Sequence, residues 1–321
     1  MEQGKMSRLT IAVLFCTFPC LAIAETIDVG SFNLESGGAN ISTLEQQIEG
    51  FDGIDIWGYS EVLAAWEDEA SDASFVDEPG TEGHVLGTTG GGDRLLIVYD
   101  DVRFTLVDSG ELANINVGGN VRAPLWVRLR DSENNNLEFI FMVNHLYRSR
   151  EDRRHQQATL LNQWAQNQTV PVIAVGDYNF DWDVPNGDND HDDGYDNLTA
   201  NDIFEWVRPA ALRRTQCNLN FNSVLDFVFV AGDAQNWTNT STIPEIRADY
   251  CTTNNTAESD HRPVFAFLNP AATTPPPNDP TGPFAISAAT STVAWVVDQL
   301  SGRIRRCELI QATIQCSPWS Q

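Results

Sequence analysis

The sequence predicts an α/β domain built on many strands. Three observations carry the prediction: short apolar runs rich in Val, Ile and Phe and bounded by polar residues or Gly, a helical pattern between two of them, and a composition boundary at residues 269–283. The runs are Thr26–Phe32, Ile54–Tyr59, Leu95–Tyr99, Leu137–Val143, Val170–Val175, Val224–Val230 and Val264–Leu268. Ser149-Arg150-Glu151-Asp152 reads as a capping box opening a helix whose Ala158, Leu161, Trp164 and Ala165 share one face. Residues 25–268 thus read as one domain without an internal repeat.

The segment N-P-A-A-T-T-P-P-P-N-D-P-T-G-P over residues 269–283 has the composition of a semi-rigid linker. Residues 284–321 beyond it read as strand, Gly302 turn and strand, a small β-hairpin appendage for stability or docking. At the other end, Lys5 and Arg8 precede an apolar stretch that closes on Ala22-Ile23-Ala24, which reads as a secretory signal over residues 1–24. About 16 mostly apolar residues are short of the roughly 20 that a spanning helix needs. The expected mature protein is exported, to the periplasm or the outside, after cleavage near Ala24.

Cys16 and Cys20 would leave with the signal, and Cys217, Cys251, Cys307 and Cys316 remain. In an exported chain four cysteines most simply form two disulfides, and the sequence-local pairing is Cys217 with Cys251 and Cys307 with Cys316.

Charge narrows the partners. The chain has 45 Asp plus Glu against 19 Lys plus Arg, a net charge of −26 at pH 7, and its only lysine is Lys5. Such a surface repels polyanions at low ionic strength and suits salty water, where screening shortens to about 3 Å at 1 M salt.

Polar residues at strand ends are the candidates for chemistry, because loops can gather them into a cleft. Asn33 follows the first run in S-F-N-L-E-S and Glu61 the second in W-G-Y-S-E-V. His145 ends M-V-N-H-L, Asp177 and Asn179 end V-G-D-Y-N, and Asp260-His261 precede the last run. Each alone is weak, since a strand-terminal Asp or Asn is more often a turn or a cap. Asp226 differs: it interrupts an apolar run in S-V-L-D-F-V-F-V, and a buried carboxylate needs a partner, for which His261 is the candidate.

Taken together and in order, these segments resemble the endonuclease/exonuclease/phosphatase family, the deoxyribonuclease-I-like phosphodiesterases, over roughly residues 26–268. The resemblance implies a four-layered α/β sandwich, two packed sheets flanked by helices, with the site at one edge of the sheets. It also implies hydrolysis of phosphate esters with a divalent metal, usually Mg²⁺, with Mn²⁺ as a substitute. Mg²⁺ binds through one or two carboxylates and keeps several waters. Glu61 is then the first ligand, with Asn33 close to it and Asp260 a further one. His261 backed by Asp226 resembles the family's base on the attacking water, and His145 and Asn179 would donate to the non-bridging oxygens. Asp177 lies near the same atoms, its role open between orienting the nucleophile and protonating the leaving group.

Substrate is less determined. Arg148, Arg150, Arg153 and Arg154 follow His145 closely and could bind phosphate, or could pair with Glu151 and Asp152 along a solvated helix. Arg94 is a weaker phosphate contact, and Arg208, Arg213 and Arg214 could join a second patch. The acidic insertion after Asn179 could take Ca²⁺, but its spacing does not match an EF-hand loop and a solvated loop is the simpler reading. An extracellular nuclease acting on DNA or RNA leads. A sphingomyelinase-like lipid phosphodiesterase or a phosphatase is the alternative, for which Trp295 and Trp319 are the only hint of membrane docking. A non-catalytic binding module of the same fold comes last, because the residue set is complete. No stable protein partner is implied, and the oligomeric state stays open.

Overall fold

A computed structural model describes residues 25–51, 53–119, 121–247, 250–251 and 256–270, and the backbone of four strands beyond residue 283. The expected signal over 1–24 and most of the expected linker lie outside the described residues.

Two six-stranded sheets form the domain. The first comprises β1 (Ile27–Asn33), β2 (Ile56–Val62), β3 (Glu82–Leu86), β4 (Arg94–Asp100), β11 (Thr238–Thr242) and β12 (Val264–Asn269), in the order β11-β12-β1-β2-β4-β3. The second comprises β5 (Phe104–Glu111), β6 (Leu125–Asp131), β7 (Leu137–His145), β8 (Val172–Asp183), β9 (Phe204–Trp206) and β10 (Ser223–Ala231), in the order β5-β6-β7-β8-β10-β9. Both sheets are mixed: β1–β2 and β7–β8 run parallel, and the other neighbours antiparallel.

Side-chain alternation explains the layering. Ile27, Val29, Ile56 and Ile97 face the second sheet, whereas Phe32, Trp57, Tyr59, Leu96 and Val98 form a separate core with Leu44, Ile48, Ala70 and Ala73. The latter four come from α1 (Ile41–Ile48) and α2 (Glu67–Ser74), which cover the first sheet. On the second sheet α3 (Glu151–Ala165) and α4 (Asp193–Thr199) contribute Ala158, Leu161, Ala165 and Leu198. The four layers are therefore those the sequence reading implies. The sheets approach closely at Gly58, where a Cβ would lie 2.4 Å from Val175 Cγ2. Among the described residues no helix is long and apolar enough to cross a membrane.

Three details differ from expectation. Arg150, not Ser149, is the N-cap of α3, and its side chain makes no capping bond, so the capping box does not form. β8 runs on to Asp183 and so carries Asp177 and Asn179 inside it. The C-terminal appendage is a four-stranded antiparallel sheet rather than one hairpin: β13 (Phe284–Ala288), β14 (Val293–Asp298), β15 (Arg303–Ile310) and β16 (Thr313–Cys316). Cys307 and Cys316 occupy opposite register positions on β15 and β16, but their side chains, and with them the expected second disulfide, lie outside the described residues. The first disulfide is present, Cys217 to Cys251.

Candidate active site

The alternation that packs the sheets also builds the site. Val143 and Val175 point inward against Gly58, so two residues further on His145 and Asp177 point inward too. His145 pairs with Asp177 across β7–β8, and Asp177 with Asp226 across β8–β10, placing three polar side chains in one row. Asn33 ends the inner face of β1 opposite them. There the packing runs out, and a polar cluster replaces it.

Asn33 ties the two sheets together. Its Nδ2 donates to Glu61 Oε1 at 3.1 Å and to Asp177 Oδ2 at 3.2 Å. Glu61 sits in a bulge of β2 with φ of 55°, and Glu35 and Asn179 both have φ of 53°. Left-handed backbone at a residue other than glycine costs about 1–3 kcal/mol and clusters at functional sites. At Gly176, φ is 135° and a Cβ would fall 1.9 Å from Asn144 O, so only glycine lets β8 enter the site on this path.

Asp177 is the centre. Its Oδ1 accepts from the Asn179 N–H at 3.0 Å, and its Oδ2 lies 3.5 Å from His145 Nε2 and 3.8 Å from His261 Nε2. Asp226 Oδ2 accepts from His261 Nδ1 at 2.7 Å, which turns Nε2 toward Asp177. Ser259 Oγ donates to Asn33 O at 2.5 Å and accepts the His261 N–H at 3.0 Å, joining the end of β1 to the Asp260-His261 turn. Asp260 Oδ1 stands 3.7 Å from His261 Nε2 and, like Asp226 Oδ1, is buried without a hydrogen-bond partner among the described residues. The expected pairing of Asp226 with His261 is thus present, and Asn33, Glu61, His145, Asp177, Asn179 and Asp260 gather around it.

Burial and charge set the protonation. Burial raises Asp177 to about 7, helped by Asp226 and Glu61 and opposed by His261. Burial alone would lower His261, but the charge and hydrogen bond of Asp226, with Asp177 and Asp260, raise it well above the ordinary imidazole value. His145 goes the other way, pushed well below that value by burial and by Arg122, His261 and Arg148. One ring is therefore charged and the other neutral.

Three site residues escaped the sequence reading. Arg122 donates from Nη2 to His145 Nδ1 and pairs through Nη1 with Asp93 Oδ2 at 2.6 Å. A guanidinium can only donate, so His145 Nδ1 accepts and its proton lies on Nε2, toward Asp177 and Glu61. Asp93 is raised to about 6 by burial, against the pull of Arg122. Glu35, raised to about 7 by burial and then by Asp260 and Glu61, is the third. The only signal for Glu35 was its place two residues beyond Asn33, and for Arg122 a lone arginine in V-R-A-P ahead of a strand.

The expected phosphate-binding arginines are placed differently. Arg94 donates to the carbonyls of Gly91 and Gly87 at 3.2 and 3.5 Å, Arg150 pairs with Asp152 at 2.9 Å on the surface, and Arg154 is buried on Asp192. Arg153 stacks on Tyr147. Arg148 is exposed, and its charge reaches His145. Arg208 lies over Trp182 and Trp206, and Arg213 pairs with Glu245 at 3.1 Å. In the acidic insertion Asp192 caps α4 and accepts from His155, so it acts as a structural hub.

No protein-family model matches the chain, and no curated protein matches it. Solved structures do. An endonuclease/exonuclease/phosphatase family protein from Bacteroides thetaiotaomicron superposes with a TM-score of 0.56 at 19% identity, covering 76% of this chain and 94% of that one. The chain has the endonuclease/exonuclease/phosphatase fold. The mannosyl-6-phosphatase of the same organism shares this fold at a TM-score of 0.55 and 20% identity, covering 75% and 99% of the two chains. D. rerio TDP2 in complex with a single-strand DNA product shares it at 0.58 and 14%, covering 76% and 99%.

Proposed function

We propose that the protein is a divalent-metal-dependent phosphodiesterase, exported from the cell, that hydrolyses DNA or RNA. The observation that carries this reading is the row His145–Asp177–Asp226, closed by His261 on one side and by Asn33 and Glu61 on the other. A mannosyl-6-phosphatase and a protein bound to a single-strand DNA product, both of the same fold, support phosphate esters as the substrate class.

The donor set fits Mg²⁺ or Mn²⁺. Glu61 and Asp260 offer carboxylate oxygens, Asn33 orients Glu61 through Nδ2 while its Oδ1 accepts the Glu35 N–H at 2.9 Å, and the buried Asp260 Oδ1 has no partner among the described residues. Glu61 and Asp260 would hold the ion, which supplies charge neutralisation at the phosphoryl oxygens and at the leaving alkoxide. Bound there, it would also offset part of the carboxylate charge that keeps His261 protonated.

This chain's own groups do the rest. His261 Nε2 accepts the proton of the attacking water, and Asp226 stabilises the imidazolium that forms. Neutral His145, its proton on Nε2, and the Asn179 amide donate to the non-bridging oxygens, where charge grows in the transition state. Arg122 holds His145 in that tautomer and adds a positive charge. Asp177, positioned by Asn33 and by the Asn179 N–H, orients the water between the two rings.

Export is supported by the signal-like residues 1–24 and by the Cys217–Cys251 disulfide, which favours an oxidising compartment. One observation favours the lipid reading: Leu219 and Phe221 are 65% and 50% exposed on a loop that Cys217 N–H ties to Asp260 O at 2.7 Å. A single comparison decides. Purified protein with Mg²⁺ or Mn²⁺ is given plasmid DNA, RNA, sphingomyelin and a simple phosphodiester, with and without chelator. Cleavage of nucleic acid that stops with chelator is expected; cleavage of sphingomyelin alone, or activity that survives chelation, overturns the reading.

A further inference from the structure

The loop between β3 and β4, G-T-T-G-G-G-D over residues 87–93, carries Asp93 into the site, yet its glycines give it wide conformational freedom. Gly90 and Gly91 have φ of 93° and 66°, and a Cβ on Gly91 would meet nothing within 4 Å. At Gly91, packing does not hold the loop.

Polar contacts do: Arg94 donates to Gly91 O and Gly87 O, and the contacts of Thr88 and Thr89 converge on one carboxylate. Glu111, the last residue of β5, accepts the N–H groups of Thr88 and Thr89 on Oε1 at 3.1 Å each. It also accepts both hydroxyls, Thr89 Oγ1 at 2.6 Å on Oε1 and Thr88 Oγ1 on Oε2. The Thr89 hydroxyl, having donated to Glu111, accepts the N–H of Ala123 at 2.8 Å. Ala123 follows Arg122, and Arg122 pairs with Asp93 and donates to His145. Next to Glu111, the Leu112 N–H bonds Pro124 O at 2.9 Å, so the 111–112 and 122–124 segments run together.

Resting on the phosphodiesterase reading, we propose that Glu111 is a positioning residue for this site: through Thr88, Thr89 and Ala123 it fixes the two chain segments that bring Asp93 and Arg122 to His145. Glu111 touches no reacting group itself. Its effect is to hold Arg122 where His145 Nδ1 must accept, and so to keep the His145 proton on Nε2. The Thr88 and Thr89 hydrogen bonds keep the carboxyl ionised against the effect of burial.

The test is a double-mutant cycle with an activity-independent companion. On bis(p-nitrophenyl) phosphate with Mg²⁺, Glu111→Ala should lower kcat about 10- to 100-fold, the scale of a misplaced catalytic group. Glu111→Gln should keep most of the rate, because its amide oxygen still accepts from both N–H groups. In an Arg122→Ala background, Glu111→Ala should cost less than about twofold more, since its route is already cut. In parallel, ¹⁵N shifts of the His145 ring should leave the Nε2–H pattern in Glu111→Ala and keep it in Glu111→Gln. Equal losses in both backgrounds, Glu111→Ala within about twofold of wild type, or an unmoved His145 ring overturns the proposal. A wild-type protein that turns over neither this diester nor plasmid DNA or RNA defeats the phosphodiesterase reading instead, and the ring shifts then decide on Glu111 alone.

Discussion

His145 and Asp177 stand in register on neighbouring parallel strands, with Nε2 of the first 3.5 Å from Oδ2 of the second. Parallel pairing fixes that relation more firmly than any loop could, and the next strand adds Asp226 opposite Asp177. Removing one member should therefore cost rate, and His261→Ala, which leaves the buried Asp226 carboxylate unpaired, should cost stability as well. Asp177→Ala, His145→Ala and His261→Ala are each expected to lower kcat about 10²–10⁴-fold, the range for acid, base and oxyanion groups. Steady-state kinetics with a thermal melt on each variant checks this, and any variant that keeps more than a tenth of the turnover removes its residue from the proposed mechanism.

Part of this arrangement was legible in period 2: Asp226 interrupts an apolar run, so its burial could be read directly. V-N-H-L and V-G-D-Y-N read only as strand ends, although their polar residues lie two positions beyond inward-facing valines. What could not be read depends on loops. Arg122 and Asp93 come from glycine-rich segments with no periodicity, and their meeting at His145 is a tertiary fact. β5 was missed because five consecutive residues on it are exposed at a sheet edge, and β11, T-N-T-S-T, because it carries no apolar run. β6 did alternate, with Leu125, Val127 and Leu129 inward and Trp126, Arg128 and Arg130 outward, and the arginines hid it.

Glu61 should control metal dependence. It is the carboxylate that Asn33 holds toward the cluster, from a bulge whose backbone is strained. Glu61→Gln keeps the shape and removes a charge, so it should raise the Mg²⁺ concentration for half-maximal activity at least about tenfold, a loss of about 1.4 kcal/mol in ion affinity. A metal titration of turnover measures it, and an unchanged midpoint would place the ion elsewhere.

The Cys217–Cys251 disulfide links the loop before β10 to the segment before β12 across 34 residues of sequence. Closing a loop of that length stabilises by about 3–4 kcal/mol in the chain-entropy description. The double variant Cys217→Ser/Cys251→Ser is expected to be less stable by about 2–4 kcal/mol. Because Cys217 N–H also holds Asp260 O, it should lose activity before it unfolds. Urea unfolding beside activity at each concentration separates the two, and coincident curves would show that the bridge serves stability alone.

Far from the site, Asp55 and Asp131 share one arginine, and Asp28 lies beside Asp55. Arg103 donates to Asp131 at 3.1 and 2.8 Å and to Asp55 at 2.8 Å. Burial raises Asp55 to about 7 despite Arg103, and raises Asp28, fully buried beside Asp55, well above the carboxylate range. A carboxyl whose folded pKa lies above its unfolded value near 3.9 binds its proton more tightly in the folded state. It stabilises fully below the unfolded value, and that contribution is lost as pH rises through the folded one, with a slope of about 1.4 kcal/mol per pH unit for each proton. Through Asp55, stability should thus fall between about pH 4 and pH 7. Asp28→Asn mimics the protonated side chain, so it should match the wild type at the acid end of that range and melt higher at the alkaline end. Thermal melts of the two proteins across the range measure the difference, and parallel curves would mean that Asp28 carries no extra proton in the fold.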